Sequence, residues 1–187
     1  MMSYTEANFE NAIIEVFRDT LGYAHLYGPN INRDYSSSLH MEDLAQALRR
    51  INSLLPESAI GEAIYKLQNF EAGSLLLRNI HFMDYLQNGV SVNYFDQNEQ
   101  RSALVKLVDY ENVERNRFVV ANQWTIVENS EKRPDIIIFL NGLPLVIFEL
   151  KSPSREETDA SEAYLQLRNY MKEIPSLFLY NAFLVMS

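Results

Sequence analysis

Two carboxylates and a lysine interrupt two very apolar segments of the sequence. Asp135 precedes an isoleucine-rich run, and Glu149 ends a second apolar run that leads through Leu150 to Lys151. A charged group in such surroundings is costly unless it is paired or bound to a metal. Because Mg²⁺ prefers oxygen ligands, we expect Asp135 and Glu149 to hold such a cation, with the backbone carbonyl of Leu150 as a further ligand.

A cation at this point would activate water and neutralise the charge of a phosphodiester in its transition state. Lys151 would orient or deprotonate that water and stabilise the developing charge. The alternative is a surface ion pair between Glu149 and Lys151 at the end of a strand. Asp135, on the neighbouring strand, favours a nuclease that uses Mg²⁺, with Mn²⁺ as its substitute.

The turn between the two apolar segments decides whether the carboxylates can meet. Asn141-Gly142 is a strong signal for a hairpin turn. A strict two-residue loop would pair Asp135 with Phe148 and so place Asp135 and Glu149 on opposite faces of the sheet. The chemistry therefore predicts an offset hairpin, with either a three-residue loop that extends to Leu143 or a bulge.

A helix after the second strand carries two more candidate catalytic residues. Gln166 and Tyr170 are four positions apart and therefore share one helix face. Gln166 can hydrogen-bond a metal-bound water or a phosphate, and Tyr170 can orient nucleic acid. The alternative is that Tyr170 only packs and Gln166 is solvated.

The order of the elements predicts an α+β or mixed α/β fold in a single domain, residues 1–187, with a mainly helical part (1–89) and a catalytic sheet and helix (90–187). A capping box of Ser3 and Glu6 predicts the start of the first helix. Apolar periodicity predicts strands over Ala103 to Tyr110, from Phe118 through Trp124 to Ile126, and over Phe178 to Met186. Asn122, in the second of these, either reaches the active site or satisfies buried backbone groups. His25, His40 and His81 show no metal-ligand spacing.

Composition limits the class of protein. The chain has 187 residues, no cysteine and a formal net charge of −9. The absence of cysteine fits a reducing compartment, and we expect a cytoplasmic protein without a membrane partner. Nucleic-acid-binding domains are usually basic, so the charge predicts weak DNA affinity for this chain alone.

The candidate residues also carry a family resemblance. Pro134-Asp135 with Glu149-Leu150-Lys151 resembles the PD-(D/E)xK nuclease superfamily, and Gln166 to Tyr170 resembles the QxxxY motif of its RecB-like branch. The likeness is strongest to the N-terminal domain of the R (restriction) subunit of type I restriction enzymes. Further similar segments are Leu21-Gly22-Tyr23, Asn116 to Trp124 and Asn141 to Leu145.

The resemblance implies more than the residues show. It implies a core sheet flanked by helices, with a helical N-terminal half, and an endonuclease acting on double-stranded DNA beside modification and specificity subunits. It also implies an ATP-driven translocase, whose phosphate-binding motif is absent here, so we expect this motor beyond Ser187. Superfamily members often place a glutamate of the first helix near the metal. Glu10 is preferred to Glu15 for this role, and a solvated glutamate is the alternative.

Two other functions stay open at this point. A DNA repair or recombination nuclease would keep the fold and the site. A non-catalytic docking module is favoured by the negative charge. Cation binding separates the docking module from the enzymes, because a docking module should bind Mg²⁺ equally well after Asp135→Ala.

Overall fold

The computed structural model describes residues 5–97, 99–151 and 160–186. The mixed α/β fold class is confirmed. Among the described residues, the α-helices are Glu6–Glu15 (α1), Met41–Ile51 (α2), Glu57–Gln68 (α3), Leu75–Asn88 (α4), Ala160–Glu173 (α5) and Pro175–Tyr180 (α6). The strands are Ala24–Tyr27 (β1), Val90–Asp96 (β2), Glu99–Val105 (β3), Phe118–Asn122 (β4), Ile126–Val127 (β5), Glu131–Lys132 (β6), Ile136–Leu140 (β7), Leu143–Glu149 (β8) and Phe183–Met186 (β9).

The described residues form two compact units. The first draws on Met1–Ser38, Phe118–Phe139 and Pro144–Ser187, and the second on Leu39–Arg117 and Leu140–Leu143. The first unit thus takes residues from both the mainly helical part (1–89) and the catalytic part (90–187) of the sequence. The unit that contains the candidate catalytic residues includes α1 from the N-terminal half.

The first unit is built on a five-stranded sheet with the order β1-β4-β7-β8-β9. Strands β1 and β4 run parallel, and so do β8 and β9, which are connected through α5 and α6. Helix α1 packs on one face of the sheet, where Ile14 joins Val120 and Ile136 in a buried cluster. Burial of this apolar face fixes the position of α1 against the central strands.

The second unit combines α2, α3 and α4 with the hairpin of β2 and β3. It also contains the turn Asn141-Gly142, whose φ angles are 53° and 78°. A Cβ on Gly142 would lie 2.4 Å from the backbone oxygen of His40, so only glycine fits there. The side chain of Asn141 accepts the backbone N–H of Arg117 and donates to the backbone oxygen of Leu107.

The capping box of helix α1 lies two residues after the predicted one. The N-cap is Thr5, whose hydroxyl accepts the N–H of Asn8, while the Asn8 side chain accepts the N–H of Thr5. Asn8 thus fills the position in the capping box that was predicted for Glu6. Glu6 is instead the first residue of the helix. Ser3 lies outside the described residues.

Three strand predictions were wrong in their bounds. The strand predicted from Ala103 is β3, which begins at Glu99 because β2 pairs along its whole length with the residues just after the turn. The strand predicted to run through Trp124 ends earlier, because Gln123 has a φ of 55° and leaves the extended region. The strand predicted from Phe178 begins only at β9, because Pro175 starts a further helix instead of only ending α5.

Candidate active site

The three residues of the predicted catalytic core lie where two adjacent strands come together. Asp135 directly precedes β7, Glu149 is the last residue of β8, and Lys151 follows two positions later. The backbone N–H of Leu150 donates to Oδ2 of Asp135 at 2.7 Å. This bond joins the start of β7 to the end of β8 beside Glu149.

The loop of this hairpin is shorter than the three-residue loop that was one of the two predicted forms. Strand β7 ends at Leu140 and β8 begins at Leu143, so the loop consists of Asn141 and Gly142 alone. Both loop residues have positive φ, as a type I′ turn requires. The three-residue loop was therefore wrong.

The packing supports the other predicted form, an offset within the strands. Strict continuation from a two-residue loop would set Ile136 opposite Ile147, and paired residues face the same side of a sheet. Instead, one apolar cluster contains even-numbered residues from β7, β8 and the position just after β8: Ile136, Ile138, Val146, Phe148 and Leu150. The pairing must shift by one residue, as a bulge produces. With this shift, the odd-numbered Asp135 and Glu149 share the opposite side.

Glu149 is the most enclosed charged group of the site, with 1% of its surface exposed. Its Oε1 accepts from Nζ of Lys151 at 2.9 Å. Its other oxygen, Oε2, is buried and makes no hydrogen bond to any described residue. Burial raises the pKa of Glu149, although Lys151 and the nearby Tyr170 hydroxyl oppose that rise.

Helix α5 brings Gln166 and Tyr170 to the same place. Nζ of Lys151 donates to Oε1 of Gln166 at 2.9 Å, and Nε2 of Gln166 donates to the Tyr170 hydroxyl at 2.8 Å. Burial raises the pKa of Tyr170 to about 12, and the charges of Glu149 and Asp135 add to the rise. Tyr170 therefore stays protonated at neutral pH, and its hydroxyl can donate a hydrogen bond.

Asp135 is held in an environment that disfavours its charge. Burial raises its pKa to about 7; the N–H of Leu150 opposes this, and the charges of Glu149, Glu6 and Glu10 increase it. The charge of Glu149 therefore disfavours the charge of Asp135, and a cation beside both carboxylates would relieve that repulsion.

The donor set fits a hard divalent cation. Asp135 and Glu149 supply two carboxylates, and Oε2 of Glu149 is a buried acceptor that a cation would satisfy. The Leu150 peptide lies beside both, with its N–H bound to Asp135. Within the described part of the chain, no group of three or more Asp, Glu, His or Cys side chains is placed to hold a metal. Glu10 thus acts on Asp135 through its charge, and its role as a ligand stays a prediction.

Comparison with known proteins defines the family. The sequence matches the model described as type I restriction enzyme R protein N terminus over residues 3–187. The chain belongs to this family. It is 39% identical over 178 residues to the type I restriction enzyme HindI endonuclease subunit of Haemophilus influenzae, a match covering 90% of this chain and 17% of that subunit. It is 33% identical over 188 residues to the putative type I restriction enzyme MjaIXP endonuclease subunit of Methanocaldococcus jannaschii, covering 95% and 18%.

This R-protein N-terminal chain spans less than a fifth of the length of these two relatives. Both relatives are named as endonuclease subunits. Among the described helices, none has the length and apolar character needed to cross a membrane.

Two further residues were not assigned from the sequence: the role of Asn122 was left open, and His25 was placed in no site. Asn122 contacts a candidate residue of the first helix: its Nδ2 donates to Oε1 of Glu10 at 2.7 Å. Its Oδ1 lies 3.0 Å from Nε2 of His25, a residue that the sequence placed in no site. The sequence signal that could have indicated Asn122 was its position as a polar residue at the end of an otherwise apolar strand.

Proposed function

We propose that this chain is the cation-dependent endonuclease region of a type I restriction enzyme R subunit, with a PD-(D/E)xK fold, and that it hydrolyses phosphodiester bonds of double-stranded DNA. The observation that carries the proposal is the buried Oε2 of Glu149, which has no hydrogen-bond partner among the described residues although Lys151 contacts the other oxygen. An unsatisfied buried carboxylate oxygen is costly. A cation shared with Asp135 gives it a partner.

Each residue of the site has its own role in the proposed reaction. Bound Mg²⁺, or Mn²⁺ in its place, would neutralise charge on the phosphodiester and activate the attacking water. Asp135 and Glu149 hold the cation, with the Leu150 carbonyl as a proposed further ligand. The ammonium of Lys151, which donates to Glu149 and to Gln166, would orient the water and stabilise developing charge.

Gln166 and Tyr170 keep this ammonium in place. The amide oxygen of Gln166 accepts from Lys151 while its nitrogen donates to Tyr170, so one side chain links the lysine to helix α5. The protonated Tyr170 hydroxyl provides a donor for a phosphate or for the Glu149 carboxylate. A fixed ammonium needs little reorganisation during the reaction, which is the basis of electrostatic catalysis.

The rest of the restriction enzyme supplies what this chain lacks. The net charge of −9 disfavours tight DNA binding by the chain alone. We therefore assign DNA delivery to an ATP-driven translocase in the remainder of the R subunit and site recognition to specificity and modification subunits.

Cleavage by the complete restriction complex tests the proposal. With ATP, Mg²⁺ and plasmid DNA carrying a recognition site, Lys151→Ala should lower the rate of double-strand breakage by about 100-fold or more. ATP hydrolysis should continue, because the translocase is untouched. The matched control is Lys66→Ala in the second unit, whose ammonium donates to the backbone oxygen of Ser91; it should cut at the wild-type rate.

The result separates the proposal from its alternatives. Undiminished breakage with Lys151→Ala would contradict the catalytic assignment. A docking module would show equal Mn²⁺ affinity before and after Asp135→Ala. A repair nuclease would cut without ATP and without the recognition subunits.

A further inference from the structure

A cavity of about 410 Å³ opens along helix α5 beside the candidate active site. Its volume is within the range of ordinary ligand sites. Its polar lining side chains belong to β6 and to α5: Lys132, Glu162, Gln166, Asn169, Tyr170 and Glu173. Because Gln166 also accepts a hydrogen bond from Lys151 at 2.9 Å, one side chain joins the cavity to the proposed catalytic lysine.

Lys132 is the one cation among the described residues that line this cavity. Its Nζ lies 2.7 Å from Oε2 of Glu173, and the two side chains are 31% and 38% exposed. Ion pairs that water reaches in this way are weak. A phosphate can therefore replace the Glu173 carboxylate on this ammonium at little cost.

Contacts between the β5–β6 hairpin and the end of α5 fix the position of Lys132. The backbone N–H of Asn129 donates to the backbone oxygen of Glu173 at 3.0 Å, and its side-chain Nδ2 donates to the backbone oxygen of Lys172 at 3.0 Å. These bonds satisfy two of the carbonyl groups that the end of a helix leaves free. The hairpin therefore holds Lys132 against α5 before any ligand binds.

Lys132 is also close enough to the proposed cation site to contact the same DNA strand. It precedes Asp135 by three positions, so their Cα atoms are at most about 10 Å apart. The phosphates of one DNA strand follow one another about every 3.4 Å along the helix axis. A phosphate on Lys132 would therefore be within a few nucleotides of a phosphate at the cation site.

We propose that this cavity receives the sugar-phosphate backbone of the DNA strand that is cut, with Lys132 as a phosphate contact that Glu173 occupies while DNA is absent. The inference rests on the proposed function, because it takes DNA as the substrate. Glu173 competes with phosphate for the ammonium and so weakens DNA binding. Asn169, which is exposed, supplies a further hydrogen-bond donor for the DNA backbone.

Binding of a short DNA duplex to the intact chain tests this. A chelator is present, so the result does not depend on a bound cation. NMR of the side-chain amides follows the titration, because it also detects weak binding. The amides of Gln166 and Asn169 should shift as DNA is added, and the amide of Asn93 in the β2–β3 hairpin should not.

The salt dependence of the affinity identifies the phosphate contact. Lys132→Ala should weaken binding about tenfold at about 50 mM salt and reduce the slope of log affinity against log salt by about 0.9, the value of one contact. Lys132→Arg should keep the wild-type slope. The matched control is Lys172→Ala, which removes the same charge from an exposed position of α5 and should leave the slope unchanged.

The competing carboxylate has its own test. Glu173→Gln should strengthen DNA binding about threefold, because the ammonium no longer has to leave a carboxylate. Glu131→Gln, at the exposed neighbour of Lys132, measures the effect of net charge alone and should strengthen binding less. In the Lys132→Ala background, Glu173→Gln should have no larger effect than Glu131→Gln.

The outcomes distinguish this inference from the proposed function. If Lys132→Ala keeps the wild-type slope, or if Gln166 and Asn169 do not shift, the cavity does not receive DNA, even when Lys151→Ala abolishes cleavage by the complete complex. If Lys151→Ala cuts undiminished while Lys132→Ala loses a phosphate contact, the cavity binds DNA and the catalytic assignment is wrong. Equal effects of Lys132→Ala and Lys172→Ala would reduce the role of Lys132 to net charge and would also overturn the inference.

Discussion

Replacing Asp135 by asparagine should stabilise the cation-free chain at pH 8. Asparagine keeps the size of the side chain and an oxygen that can accept the Leu150 N–H. It removes a carboxylate whose charge is disfavoured by burial and by neighbouring acids. Functional sites often retain such unfavourable groups at the expense of stability.

The sign and size of this stability difference follow from the pKa of Asp135, which rises from 3.8 to about 7 on folding. Between these values the folded chain binds more protons than the unfolded chain. The free energy of unfolding therefore falls as the pH rises through this range and is constant above it. The shift corresponds to about 4 kcal/mol at about 1.4 kcal/mol per unit. Because Asp135 is partly exposed, we expect about 2 kcal/mol at pH 8.

Urea unfolding in the presence of a chelator measures this difference. The advantage of Asp135→Asn over the wild type should grow by about 1 kcal/mol between about pH 5 and about pH 8. Mn²⁺ at about 100 times its dissociation constant should then stabilise only the wild type, by about 2.7 kcal/mol, and remove the difference. Asp84→Asn, at an exposed position of α4, is the control. A variant no more stable than the wild type at pH 8 would refute the reasoning.

Two other substitutions test the turn and the lysine. Gly142→Ala should lower the free energy of unfolding by about 3 kcal/mol, because its Cβ would lie 2.4 Å from the backbone oxygen of His40; Gly61→Ala, with open space around it, should instead raise it by up to about 1 kcal/mol. Lys151→Gln should raise the pKa of Glu149, because the ammonium that lowers it is lost; a carboxyl-carbon NMR titration measures this, and an unchanged or lower pKa would contradict the contact.

Features that depend on local chemistry could be predicted from the sequence. Asn141-Gly142 indicated a tight hairpin turn, and its two positive φ angles confirm that the turn needs these residue types. Gln166 and Tyr170 were placed on one helix face from their spacing, and they form a hydrogen bond at 2.8 Å. Both predictions concern residues that are neighbours in the chain.

Features that depend on distant packing could not be fixed in this way. The sequence required an offset hairpin but left its form open; the offset lies within the strands because the even-numbered residues of β7 and β8 pack in one cluster with α1. Asn122 and Glu10 are separated by 112 positions, so their hydrogen bond has no local signature. Pro175 looked like the end of a helix, and only the structure shows that another begins there.

The central claim is that Asp135 and Glu149 together hold a divalent cation. Anomalous diffraction from crystals of the chain soaked in Mn²⁺ tests it most directly. The account predicts a strong peak about 2–2.5 Å from a carboxylate oxygen of each residue, with Oε2 of Glu149 among the ligands, and no such peak in Asp135→Asn crystals. A wild-type peak at other carboxylates, or none at this pair, would contradict the account.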